Sequence, residues 1–139
     1  MPWSSRLRGT DSGQTVRSAA GLFFSAMREK LPGLRAFFLL GSGGELLAHV
    51  SEDRRVDSAG AEIFASEYAT LLRIAQSASR DTGMGELQEQ ILTSATSLIV
   101  IHCFSRDRVA VFVCSPDEHL GRLRYELKRA LLYSSLSNL

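Results

Sequence analysis

The first third of the chain shows helical spacing of apolar residues followed by strand-like runs. Pro32-Gly33 would end the first helix, because proline cannot continue the hydrogen-bond ladder. Residues 1–11 show no periodicity, so we expect a flexible tail before one domain at 12–139. The apolar face of this helix, at i, i+3 and i+4 spacing, consists of Val16, Ala20, Phe23, Met27 and Leu31.

A glycine cluster, Gly41-Ser42-Gly43-Gly44, separates the apolar runs "RAFFLLGS" and "ELLAHVS". A phosphate-binding loop should open a helix and carry G-x-x-x-x-G-K-[ST] spacing. Here a strand-like run follows the glycines, and no lysine follows the loop. The pattern therefore predicts a β-hairpin turn, in which glycine supplies positive φ.

After a charged loop, "SEDRRVD", a second helix is predicted at Ser58–Arg80 with Asp57 as its N-cap. Two isoleucines, Ile63 and Ile74, lie off its main apolar stripe. A ladder of small residues at i, i+4 spacing either packs on the protein's own sheet or allows close approach of a partner helix. The ladder consists of Ala61, Ala65 and Ala69.

The remaining segments predict three strands and a last helix. The stretch Glu86–Thr93 alternates like an edge strand, while "SLIVIHCF" and "VAVFVC" suit buried central strands. Ser115 and Glu118 form a capping box that should open the last helix, with Pro116 in its first turn. The order α-β-β-α-β-β-β-α predicts an α+β fold, in which a five-stranded, mainly antiparallel sheet has two helices on one face and one on the other.

Composition and charge give no support for a nucleic-acid or membrane partner. Sixteen basic and fifteen acidic side chains give a net charge of +1, which offers no argument for nucleic acid or an anionic membrane surface. No apolar stretch reaches the roughly 20 residues of a membrane span, and no signal sequence is visible, so we expect a cytoplasmic protein. Cys103 and Cys114 lie within apolar runs and are expected to be buried thiols.

Reactive side chains form no recognisable constellation. His102 and Cys103 are adjacent on a strand and point to opposite faces, so they cannot act together as base and nucleophile. No histidine pair has metal-ligand spacing. We therefore expect no catalytic residues, no metal and no cofactor, and a protein that is not an enzyme.

Three segments resemble the Roadblock/LC7 domain family. They are "LPGLRAFFLLGSGGELLAHVS", "GELQEQILT" and "VFVCSPDEHLGRLRYELKRALL". The last segment resembles the family's ending, in which a strand leads to an acidic residue, then "LG" and "R-x-E-L"; these are Asp117, Leu120-Gly121 and Arg124–Leu127 here. The resemblance covers about Val16 to Leu132, which is most of the chain.

This resemblance implies a dimer, either a homodimer or a heterodimer with a paralogue. In the family, the second helices lie side by side and the third strands join two sheets. The implied interface residues are Ala61, Ala65, Ala69, Glu89 and Ile91.

The resemblance also implies a partner. Roadblock proteins regulate or scaffold small Ras-like GTPases, as in bacterial gliding motility, or act as dynein light chains, without hydrolysing GTP themselves. The first hypothesis is thus a non-catalytic, GTPase-activating-protein-like regulator. Its predicted GTPase-binding stripe is Glu62, Ser66, Thr70, Arg73 and Ser77.

Other functions remain open from the sequence. A structural adaptor or motor-complex light chain would bind its partners regardless of nucleotide. A small-ligand sensor would need a cavity, and Phe37, Phe38 and Phe112 favour a filled core instead.

Overall fold

The computed structural model describes residues 2–52, 57–105 and 107–133, with side chains from Thr15 onward except Ser58 and Tyr133. Part of the predicted charged loop, residues 53–56, lies outside this range. The elements confirm the predicted order. They are α1 (Pro2–Lys30), β1 (Leu34–Gly41), β2 (Leu46–Ser51), α2 (Ser58–Asp81), β3 (Glu89–Thr93), β4 (Leu98–Ser105), β5 (Arg108–Cys114) and α3 (Leu120–Tyr133).

The five strands form one antiparallel sheet in the order β2-β1-β5-β4-β3. The three inner strands are nearly continuous apolar runs because both of their faces are covered. Helices α1 and α3 cover one face and α2 covers the other, as predicted. The edge strands β2 and β3 are only partly buried.

Aromatic rings fill the layer between the sheet and α1. The Phe23 ring of α1 packs against Phe37 with centroids 5.2 Å apart, and Phe37 packs against Phe112 at the same 5.2 Å. Tilted ring pairs at this separation are favourable beyond the area that they bury. Helix α3 completes this layer with Leu123, Leu127 and Leu131, all buried.

The opposite layer is thinner where α2 crosses the β1–β2 hairpin. Gly44 has φ +86°, and a Cβ built on it would lie 2.7 Å from the Cβ of Ala69. Glycine is required here both for its backbone conformation and for the close approach of the helix. The glycine cluster is thus the predicted hairpin turn, with Gly44 N donating to Gly41 O at 3.1 Å.

Helix α1 begins at Pro2 rather than near Ser12, so residues 2–11 have helical backbone where the sequence suggested a tail without structure. Proline suits the first turn of a helix, and one glycine such as Gly9 costs about 1 kcal/mol without ending it. Residue 1 lies outside the described residues. The flexibility of residues 1–11 remains a prediction.

The capping box predicted for α3 is wrong. Glu118 does not cap its own helix, because its carboxylate accepts a hydrogen bond from Gly33 N at 3.1 Å across the fold. Ser115 N donates to Gly33 O at 2.8 Å, so this segment is fastened to the α1–β1 turn. The helix begins later, at Leu120, where His119 Nδ1 accepts from Arg122 N at 3.2 Å.

Candidate functional site: the exposed face of α2 and the β3 edge

Helix α2 is positioned by its cap and by one buried stripe. Asp57 is the N-cap as predicted, and its carboxylate accepts from Gly60 N at 2.8 Å. The stripe that faces the sheet consists of Ala61, Ala65, Ala69 and Leu72, and each is buried. Phe64 and Tyr68 flank this stripe and are partly buried against the same layer, and the opposite side of the helix is exposed.

The alanine ladder therefore faces the protein's own sheet. Ala61, Ala65 and Ala69 are 0%, 1% and 7% exposed. Side chains buried in this way pack on the protein's own sheet, and their placement at a dimer interface stays a prediction. The small side chains instead allow α2 to lie close to the sheet, as at the crossing with Gly44.

The predicted GTPase-binding stripe is exposed along its whole length. Within it, Thr70 Oγ1 donates to Ser66 O at 3.0 Å, and Arg73 Nη2 donates to Thr70 Oγ1 at 3.2 Å. Glu62 and Ser77 lie at its two ends, both exposed. The five residues share one flank of α2, so the structure brings together the residues that the sequence selected. Whether they bind a GTPase stays a prediction.

A second exposed stripe on α2 is mostly apolar, with the charged Glu67 between Ile63 and Leu71. Ile63 is 65% exposed, Ile74 64% and Leu71 38%. The sequence signal for this stripe was the position of the two isoleucines off the main apolar face. Leu71 was missed because its spacing, like that of Leu72, fits the apolar stripe expected to face the sheet. In the structure only Leu72 is buried.

Strand β3 is one edge of the sheet. Cys103 N donates to Gln88 O at 2.9 Å, and these residues continue the pairing of Glu89 with His102. Because hydrogen-bonded pairs alternate in antiparallel strands, the main-chain groups of Glu89 and Ile91 point outward from the sheet. Their main chain, rather than their side chains, is thus what β3 offers to a partner strand.

The side chains of Glu89 and Ile91 are directed to the α3 layer instead. Glu89 is nearly buried and accepts from Arg124 Nε at 2.6 Å, while His102 Nδ1 lies 3.6 Å from its other carboxylate oxygen. Burial lowers the pKa of His102, and the neighbouring Glu89 partly opposes this shift. Ile91 packs on the same layer. This cluster holds the edge strand to α3.

The described residues offer little for catalysis. None of them forms a group of three or more histidine, cysteine or acidic side chains that could hold a metal ion. Cys103 and Cys114 are free thiols, and burial raises both pKa values, that of Cys114 to about 12. A pocket of about 80 Å³ lies between the hairpin, α2 and Cys103, and it is smaller than the roughly 300–1,000 Å³ of most small-molecule sites; a larger, open groove lies along β2.

Comparison with known proteins gives similarity in structure alone. No family model matches the chain, and no curated protein matches it. A Roadblock/LC7 domain from Streptomyces avermitilis superposes with a TM-score of 0.71 at 15% identity, over 80% of this chain and 90% of that one. The gliding protein MglB from Thermus thermophilus superposes with a TM-score of 0.73 at 17% identity, over 88% and 89%. MglB from Myxococcus xanthus gives 0.70 at 16% identity, over 86% and 84%.

The chain has the Roadblock/LC7 fold. Identities this low show the architecture without showing activity, because one fold hosts many functions. In the described part of the chain, no helix combines the length and apolar character that crossing a membrane requires.

Proposed function

We propose that this protein is a non-catalytic, dimeric regulator or scaffold that binds a small Ras-like GTPase and modulates its nucleotide cycle. The observation that carries the proposal is the surface of α2, where an apolar stripe and a polar stripe are exposed side by side. The likeness in fold to gliding proteins and the resemblance of three sequence segments to the Roadblock/LC7 family support it.

The apolar stripe is the proposed dimer seam. Monomeric proteins seldom expose clustered large apolar side chains without a binding role. Ile63, Leu71 and Ile74 would pack against the same residues of a second copy or of a paralogue. The outward main-chain groups of β3 at Glu89 and Ile91 would then join the two sheets.

The polar stripe is the proposed GTPase-binding surface. It lies beside the dimer seam, and Arg73 provides its positive charge. With no catalytic cluster among the described residues of this surface, regulation would proceed by repositioning the partner's own groups. The same geometry suits an adaptor that ignores nucleotide, so the test must compare nucleotide states.

Arg73→Glu tests the polar stripe. We expect affinity for a small GTPase loaded with a non-hydrolysable GTP analogue to fall by about tenfold, because reversing an interface charge replaces attraction with repulsion. Titration calorimetry with wild-type and variant dimers measures this, and GTP hydrolysis rates show whether binding also activates the partner.

Arg129→Glu is the matched control, since Arg129 is exposed on α3 at the opposite face of the sheet. It carries the same charge change and should leave affinity unaltered. Unchanged affinity in Arg73→Glu, with the dimer intact, would remove this stripe from the proposed binding surface.

A further inference from the structure

Strand β2 forms the second edge of the sheet, and a groove runs along it. The groove has a volume of about 340 Å³. It is bounded by α1 on one side of the sheet and α2 on the other. Its lining residues are Arg17, Leu46, Leu47, Ala48, His49 and Glu62.

The main chain of β2 presents hydrogen-bonding groups to this groove. Glu52 N donates to Arg35 O at 2.9 Å, which makes Glu52 and Arg35 a hydrogen-bonded pair. Phe38 and His49 are then a non-hydrogen-bonded pair by alternation along the register. The N–H and C=O of His49 therefore point away from β1 and into the groove.

The side chains of β2 leave this edge unprotected by charge. The His49 ring stacks on Phe38 at 6.0 Å on the α2 face, while Ala48 and Val50 pack on the α1 face. No residue from Leu46 to Ser51 is charged, and a bulge near Leu47 is the strand's one irregularity. Natural edge strands commonly carry lysine, proline, an inward charge or a bulge to prevent pairing, and β2 carries only the bulge, which lies before His49 in the strand.

We propose that the edge of β2 binds an extended segment of a partner protein, which adds to the sheet as a sixth strand. An extended backbone is the occupant whose own N–H and C=O groups complement those of His49. This site goes beyond the proposed GTPase regulation, shares only Glu62 with the polar stripe, and stands or fails independently of it.

The charges that flank the groove specify the side chains of that segment. Arg17 lies on the α1 side and Glu62 on the α2 side, and both are exposed. Successive residues of a strand point to opposite faces. The partner strand should therefore carry an acidic residue towards Arg17 and a basic residue, an odd number of positions away, towards Glu62.

The same charges disfavour a second copy of this chain as the occupant. Pairing of β2 with β2 would bring Leu46–Ser51 into the groove, and this segment contains no charged residue. The residues that flank this segment, Glu45 and Glu52, are both acidic, so Glu62 would face no basic residue on the added strand. The partner is a different segment.

The test uses a peptide of eight residues, alternating valine and threonine, with one aspartate and a lysine three positions later. Titrated into the isotope-labelled protein, it should shift the amide resonances of Ala48, His49 and Val50. A control peptide with the lysine two positions after the aspartate places both charges on one face, and it should bind several-fold more weakly.

Two variants at one position separate the main chain from the side chain. His49→Pro removes the outward N–H without removing a bond to β1, as proline permits on an edge strand. It should weaken peptide binding by about fivefold or more. His49→Val keeps the N–H and should bind the peptide as the wild type does.

Arg17→Glu gives a second measurement that does not depend on tolerance of proline. It should weaken binding of the charged peptide at least threefold. The affinity for a peptide in which threonine replaces the aspartate should be unchanged. The proposal would be overturned if His49→Pro bound the peptide as tightly as the wild type, or if His49→Val lost as much affinity as His49→Pro. It would also be overturned if the peptide changed only the oligomeric state of the protein.

Discussion

Ile74→Gln is the sharpest test of the dimer seam. Ile74 is 64% exposed in the single chain, so most of its side chain would be buried only by a partner. Complete burial of an isoleucine is worth about 1.5–3 kcal/mol, so the exposed share corresponds to about 1–2 kcal/mol in each copy. A two-fold interface counts the residue twice, which gives about 2–4 kcal/mol, or a dimer Kd about 30- to 1,000-fold higher.

Sedimentation velocity over a concentration series measures this change. Leu22→Gln is the matched control, because Leu22 is 74% exposed but lies on α1. The dimer Kd of Leu22→Gln should equal that of the wild type. Thermal unfolding of Ile74→Gln at concentrations that keep both proteins monomeric should be nearly unchanged, since exposed substitutions usually shift stability by less than about 0.5 kcal/mol. A dimer Kd equal to that of the wild type would refute the seam.

Two further substitutions test the packing of α2. Gly44→Ala should lower the free energy of unfolding by more than Gly85→Ala, because both glycines have φ +86° but only Gly44 meets Ala69; urea unfolding of the pair compares them. Ala65→Leu should cost about 1–3 kcal/mol by overfilling the layer under α2, whereas the exposed neighbour substitution Ser66→Leu should cost little. If Ala65→Leu were stable but dimerised poorly, the alanine ladder would instead lie at the dimer interface.

Local chemistry made much of the fold predictable. The hairpin followed from glycines between two short apolar runs, and Gly44 does adopt positive φ. The start of α2 followed from Asp57, whose carboxylate needs only the helix's own amides. The buried central strands followed from β-branched and aromatic runs without polar interruption. Each of these signals is contained within a few neighbouring residues.

Interactions between distant segments were not visible. The capping box at Ser115 does not form because the carboxylate of Glu118 accepts a hydrogen bond from the main chain of Gly33, which lies far away in sequence. The alanine ladder could face either a sheet or a helix, and only the position of Gly44 beneath Ala69 decides between them. Likewise, Leu71 and Leu72 both match an apolar stripe, and only the packing of α2 on the sheet shows that Leu72 is the buried one.

The candidate site was predictable in part. The polar stripe from Glu62 to Ser77 is one exposed flank, because helical spacing alone fixes which residues share a side. The groove at β2 depends instead on where α1 and α2 lie over the sheet edge, so Arg17 and Glu62 could not be paired from the sequence.

Capture of partners by nucleotide state tests the central claim most directly. The purified protein is immobilised and exposed to lysate of its source organism, once with a non-hydrolysable GTP analogue and once with GDP. The proteins that it retains are then identified. We expect a small Ras-like GTPase to be retained in the GTP-like state and lost with GDP. Absence of a GTPase under both conditions, or equal retention in both, would contradict a regulator that reads the nucleotide.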